Sequence, residues 1–209
     1  MAAPNIDDEK IESFWDWFTE NRRKYTSLQD LPEEEVESLL EEFLAALHEV
    51  NQNLYFEIGG LPDTPQKELI ITAEGDKEYF PLVEEVVDQA PFFPEWDIIA
   101  FKQPAGPDFV ISYEDQDFEP EQTLFIPIEP QTDDAITGLR VCYADYNEGD
   151  KGTFLHGTYL MLDYLLGEKS STLDIDHLEV GPIPVDGEAS KPMPLSGIKA
   201  YIDGKREEK

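Results

Sequence analysis

Two things are scarce in this 209-residue chain: cysteine, which occurs once, and positive charge, supplied by 15 lysines and arginines against 47 aspartates and glutamates. With Cys142 as the sole thiol, neither an internal disulfide nor a multi-thiolate zinc site can form. Its place inside the run Leu139-Arg140-Val141-Cys142-Tyr143 suits a core position in a reducing compartment. A formal charge of −32 repels phosphate backbones. The basic groups cluster only at Arg22-Arg23-Lys24 and in the tail at Lys205, Arg206 and Lys209, too small a footprint to displace counterions, so no nucleic-acid partner is expected. Long apolar runs are also missing. No stretch approaches the roughly 20 residues of a membrane span, and the first eight residues lack a charged segment followed by an apolar one. The expectation is a cytoplasmic protein without a membrane partner.

Catalytic and ligand signatures are equally thin. There is no Gly-x-Ser-x-Gly elbow, no phosphate-binding loop and no dinucleotide fingerprint. His48, His156 and His177 are not spaced with one another or with the cysteine as metal ligands, which points to structural or surface roles. His48, near the end of a helical segment, is placed to interact with the helix dipole. The acidic turn Asp145-Tyr146-Asn147-Glu148-Gly149-Asp150 starts like a calcium loop. Its glycine is fifth where the sixth position is required, and the twelfth position is His156 where a bidentate glutamate belongs. Paired carboxylates could serve acid–base work, but with so many acids no pair stands apart. The expectation is no cofactor, no metal and no assigned catalytic residue.

What is present is ample apolar material, 40% of the chain with 12 Phe, 9 Tyr and 3 Trp, enough for one or two closely packed cores. The acids are spread over the length, 25 against 6 bases up to residue 100 and 22 against 9 beyond it, so they are not a tail hung on a neutral domain. Between Asp108 and Asp134 there is no lysine or arginine at all.

Periodicity gives an α+β fold class: an N-terminal helical pair followed by mixed sheets, with two strand-strand-helix-strand units. Ile11, Phe14, Trp15 and Phe18 predict a helix over 7–21, capped by Asp7 and Asp8. Pro32 opens a second, with Val36, Leu39, Leu40, Phe43, Leu44 and Leu47 on one apolar face opposite Glu34, Glu35, Glu41 and Glu42. Residues 54–58 and 68–73 read as a hairpin turned at 59–63, followed by a helix over 76–90 and a strand over 96–101. The order returns as strands at 123–128 and 139–144, a helix over 153–166 and a strand over 173–180. Glu74-Gly75-Asp76-Lys77 and Glu148-Gly149-Asp150-Lys151 lead into the two helices, each with a permissive glycine and an aspartate able to cap. A further strand is expected at 108–113, an extended arm at 181–194 and a short helix at 195–209. The chain is expected to be one compact body with sub-units 1–105 and 106–209, and the repeated order suggests an internal duplication.

The functional reading is a non-enzymatic protein-interaction or regulatory module whose acidic surface receives a basic protein partner. Its candidate contact residues are Phe92, Phe93 and Trp96, between a helix and a strand, and Phe118 within the acidic run Asp115, Asp117, Glu119 and Glu121. The same aromatics could instead fill the core. The rival reading is an enzyme or small-ligand binder with a site between the two α/β units, drawing on Glu57, Tyr143 and His156.

The segments Phe14-Trp15-Asp16-Trp17-Phe18, Leu54-Tyr55-Phe56-Glu57-Ile58-Gly59-Gly60, residues 68–75, residues 96–101 and Leu162-Asp163-Tyr164-Leu165-Leu166-Gly167-Glu168 resemble a bacterial family of acidic cytosolic proteins, a domain of unknown function. The likeness covers most of residues 10–180. It implies a bacterial cytosolic origin and carries no activity, cofactor or catalytic residue with it.

Overall fold

The computed structural model describes residues 6–60, 66–132, 135–184 and 191–208. Of the expected segments, the hairpin turn at 61–63, the middle of the 181–194 arm and Lys209 lie outside the described residues. The fold is α+β, with N-terminal helices ahead of the strands, and the chain divides into two compact units, residues 1–102 and 103–209.

In the first unit, α1 (Asp8–Asn21) begins where Asp7 accepts a hydrogen bond from the Lys10 amide at 3.4 Å, with Asp8 and Glu9 in the first turn where the dipole favours acids. Helix α2 (Glu33–Val50) starts immediately after Pro32 with three glutamates in its first turn. Strands β1 (Tyr55–Gly59), β2 (Lys67–Thr72) and β3 (Trp96–Ala100) form a sheet in that order, β1 antiparallel and β3 parallel to β2. Helix α3 (Phe80–Asp88) makes the crossover between β2 and β3 that a parallel pair requires. It starts four residues later than periodicity predicts. Glu74 and Gly75 take left-handed backbone at φ 52° and 80°, and the Asp76 carboxylate accepts from the Glu78 amide at 3.1 Å, so these residues form turns rather than a helical start.

The core of this unit is aromatic. Phe18 packs edge-on against Trp15, Phe43, Phe93 and Trp96 with ring centroids 5.2–5.9 Å apart. Such pairs each add about 0.5–1.5 kcal/mol beyond burial of area. The Trp15 indole donates to the Val86 carbonyl at 2.8 Å, tying α1 to α3.

In the second unit, β4 (Ile111–Tyr113) and β5 (Gln116–Phe118) make a short hairpin, its turn including Glu114 at φ 53°. The acidic run therefore contains a strand that periodicity did not separate. A four-stranded sheet has the order β8 (Ile175–Pro182), β7 (Thr137–Tyr143), β6 (Leu124–Ile128), β9 (Met193–Pro194). β6 and β7 are antiparallel and β7 and β8 parallel. Between β7 and β8 run α4 (Lys151–Leu166) and a second short helix, α5 (Glu168–Asp174), on which the predicted 173–180 strand intrudes by two residues. Gly167, at φ 75°, ends α4 and lets the chain restart; the Ser170-Ser171-Thr172 run carries little helical propensity to announce α5. Helix α6 (Ile198–Glu208) buries Ile198 and Ile202 completely.

Both units contain the same sub-order: an antiparallel pair, a helical crossover, then a strand parallel to the second, which is flanked by the other two. The two Glu-Gly-Asp-Lys turns do not correspond in geometry. The first follows β2 with left-handed glycine; the second forms a 3-10 turn over Glu148–Asp150 capped by Asn147, whose side chain accepts from the Gly149 amide at 3.0 Å. Asp150, at the cap position of α4, makes no side-chain cap bond.

Candidate protein-interaction surface

The structure separates the predicted contact residues sharply. Phe92 is 89% exposed in the segment between α3 and β3. Its neighbour Phe93 is buried, with its ring 5.2 Å from Phe18 and the Arg22 guanidinium 5.2 Å from its centroid. Trp96 is buried on the core-facing side of β3. As surface anchors, Phe93 and Trp96 are thus corrected to core residues: the chain turns between them, the Trp96 amide donating to the Phe93 carbonyl at 3.2 Å, and both rings join the core while Phe92 stays outside it. Phe118 is corrected in the same way. Strand alternation sends Asp117 to solvent and Phe118 inward, where its ring lies 5.9 Å from Tyr143 and 6.1 Å from Phe154. Asp115, Asp117 and Glu121 are exposed and Glu119 is half-buried. The Asp117 carboxylate accepts from Ser112 Oγ at 2.6 Å, and Glu119 accepts from Gln122 at 2.6 Å. The acidic run is a polar-faced hairpin without an exposed aromatic centre.

The residues of the rival reading have local partners. Glu57, in the first unit, pairs with Lys102 at 3.3 Å, which also meets Glu74 at 2.9 Å. Burial pulls the Lys102 ammonium down, but the hydrogen bond and charge of Glu74, helped by Glu57, outweigh it and leave the pKa raised. In the second unit, the Tyr143 hydroxyl is buried 2.5 Å from Thr158 Oγ1, and exposed His156 lies over Tyr113 with centroids 4.3 Å apart. His48 sits 3.1 Å from the Leu54 carbonyl, pinning the α2–β1 connection, and His177 pairs with Glu179 at 2.9 Å. Among the described residues, no group of three or more His, Cys, Asp or Glu side chains is arranged to hold a metal ion.

A surface that periodicity did not single out lies on α2. Its apolar face is wider than the core it covers: Phe43, Leu47 and Val50 are buried, while Val36, Leu40 and Leu44 stay half-exposed. These three, with Phe56 of β1, line a groove of about 500 Å³. The ring of Phe56 is centred 4.0 Å from that of buried Phe43. Beside the apolar row stands a second row, Glu33, Glu37 and Glu41, all exposed and also lining the groove. Both rows repeat every four residues, so each follows one ridge of the helix. The signal is present in the sequence as an apolar arc from Leu39 round to Leu44, broader than one packing contact fills.

Comparisons of the chain with family models, with curated proteins and with solved structures give no match in any of the three. In the described residues no helix is long and apolar enough to cross a membrane.

Proposed function

We propose that this chain is a non-enzymatic interaction module, regulatory or inhibitory in kind, that captures a basic surface on another protein. One observation carries the reading: 47 acids face 15 bases, so even complete internal pairing leaves a surplus of 32 carboxylates. The internal pairs already use cations, among them Arg22 with Glu95, Lys24 with Glu42, Lys102 with Glu57 and Glu74, and Arg206 with Asp174. An envelope of this sign steers cationic partners inward and repels phosphate backbones, so the partner is a protein and not a nucleic acid. Buried Cys142, the sole thiol, is in keeping with a cytoplasmic setting, the compartment suggested by the resemblance to bacterial cytosolic proteins.

The test is affinity capture from the organism that makes the chain, at low and at moderate salt. A basic protein recovered at low salt and released as salt rises is the expected result. Recovery of acidic proteins only, or of none under either condition, would count against the proposal.

A further inference from the structure

We infer that the α2–β1 groove is a docking site for a cationic amphipathic helix of a partner protein. This rests on the reading of the chain as an acidic interaction module and adds where the partner binds and in what form.

The geometry argues for a helix. Val36, Leu40 and Leu44 lie on one ridge of α2, and eight residues of helix extend about 12 Å, a little over two turns. A ridge of this pitch receives the ridge of another helix, whose apolar residues recur at three- and four-residue intervals. The half-exposed ring of Phe56 adds aromatic surface to the groove lining for such side chains to contact.

The charge argues for which helix. Glu33, Glu37 and Glu41 edge the groove at the same four-residue repeat as the apolar row. A partner with lysine or arginine at every fourth position beside its apolar ridge places one cation opposite each glutamate. A second copy of this chain is the wrong occupant, because two bodies of charge −32 would have to meet along their acidic edges. The chain's own C-terminal helix, α6, is also the wrong occupant: its three bases are offset by three acids, and Ile198 and Ile202, the apolar residues it would offer, are already buried within the second unit.

The experiment uses the full chain and a fluorescent peptide of about five helical turns, roughly 18 residues, built from leucine and lysine in amphipathic order. One control peptide has the same composition in an order that destroys the apolar face, and another replaces each lysine by glutamate. The ordered cationic peptide should bind saturably at one per chain. The scrambled peptide should bind at least about tenfold more weakly, and the glutamate peptide should not bind. Leu40→Gln should weaken binding by about tenfold or more. Glu37→Lys combined with Glu41→Lys should weaken it comparably and reduce its salt dependence. The charge-reversed variant alters exposed positions only, so it carries the test if Leu40→Gln disturbs the fold by circular dichroism. If ordered and scrambled peptides bind alike, or if both variants bind as the parent does, the groove is not the site, while capture of basic surfaces stands. If no cationic peptide binds, both readings fall. A dimer in sedimentation that Leu40→Gln dissociates would overturn the inference in favour of a second copy.

Discussion

The ring of Phe118 lies against the backbone of α4 at Gly157, so closely that a Cβ at position 157 would overlap it. That contact lets the β4–β5 hairpin rest directly on the helix. An alanine at 157 must push aside a fully buried aromatic ring, for which overpacking costs of about 1–3 kcal/mol are usual, against a propensity gain of at most about 1 kcal/mol. Gly157→Ala should therefore destabilise the chain. Gly152, on the same helix, has open space where a Cβ would stand, with nothing within 4 Å, and Gly152→Ala should be neutral or stabilising. Urea unfolding of the two variants checks the opposite signs.

Stability should fall steeply at alkaline pH. Burial, aided by the nearby Glu42 carboxylate, pushes the Tyr25 phenol above its ordinary 10.0. Burial does the same for Tyr143, against the opposing hydrogen bond of Thr158. Below pH 10 both phenols are neutral folded and unfolded, and their contribution is intact. Above it the unfolded chain loses protons that the fold retains, so stability declines by about 1.4 kcal/mol per pH unit for each tyrosine until the folded values are reached. Lys102, its pKa also raised, acts in the same direction above 10.5. Tyr25→Phe and Tyr143→Phe should each remove one tyrosine's share of the slope in denaturation series from about pH 9 to about 12. Tyr25→Phe should cost nothing at neutral pH, since its buried hydroxyl has no hydrogen-bond partner among the described residues. A flat profile through this range would show the phenols to be solvated.

Adjacent phenylalanines should behave as opposites. Phe93→Ala empties a core position against Phe18 and Trp15 and should cost about 3–5 kcal/mol. Phe92→Ala alters a side chain in solvent and should stay within about 0.5 kcal/mol of the parent. Thermal melts distinguish the two, and equal losses would contradict the assigned exposures.

Arg206 of α6 reaches Asp174 at the end of α5, and the same carboxylate accepts from Ser170 at 2.5 Å. Asp174 is buried while Arg206 is nearly half-exposed, so solvent screening reduces what the pair contributes. Arg206→Met, which keeps the stem and removes the charge, should destabilise by about 1–2 kcal/mol. Its effect should be largely absent in an Asp174→Asn background, a coupling that a double-mutant cycle reads.

The N-terminal helices were legible because Ile11, Phe14, Trp15 and Phe18 repeat at helical spacing beside capping acids, and all four are buried. Strands β1, β2, β3, β6 and β7 were legible because β-rich runs sit between turn residues. Helix α5 and strand β5 were not. Each is short and mostly polar, with a weak local preference, and the one apolar residue of β5, Phe118, is held by Tyr143, Phe154 and Gly157, distant in sequence. Of the candidate contact residues, Phe92, Asp115, Asp117 and Glu121 are exposed, whereas Phe93, Trp96 and Phe118 were grouped with them because aromatic composition does not record which way a side chain points.

The residues alone determined the net charge, the single thiol and most of the succession of helices and strands, α5, β5 and β9 excepted, since these depend on composition and on patterns within a few positions. Tertiary packing decided which aromatics became core, how far the core extends across α2, and hence that Val36, Leu40 and Leu44 remain half-uncovered beside Glu33, Glu37 and Glu41. Burial is a property of what other segments bring to a face, and no local pattern encodes where that coverage stops.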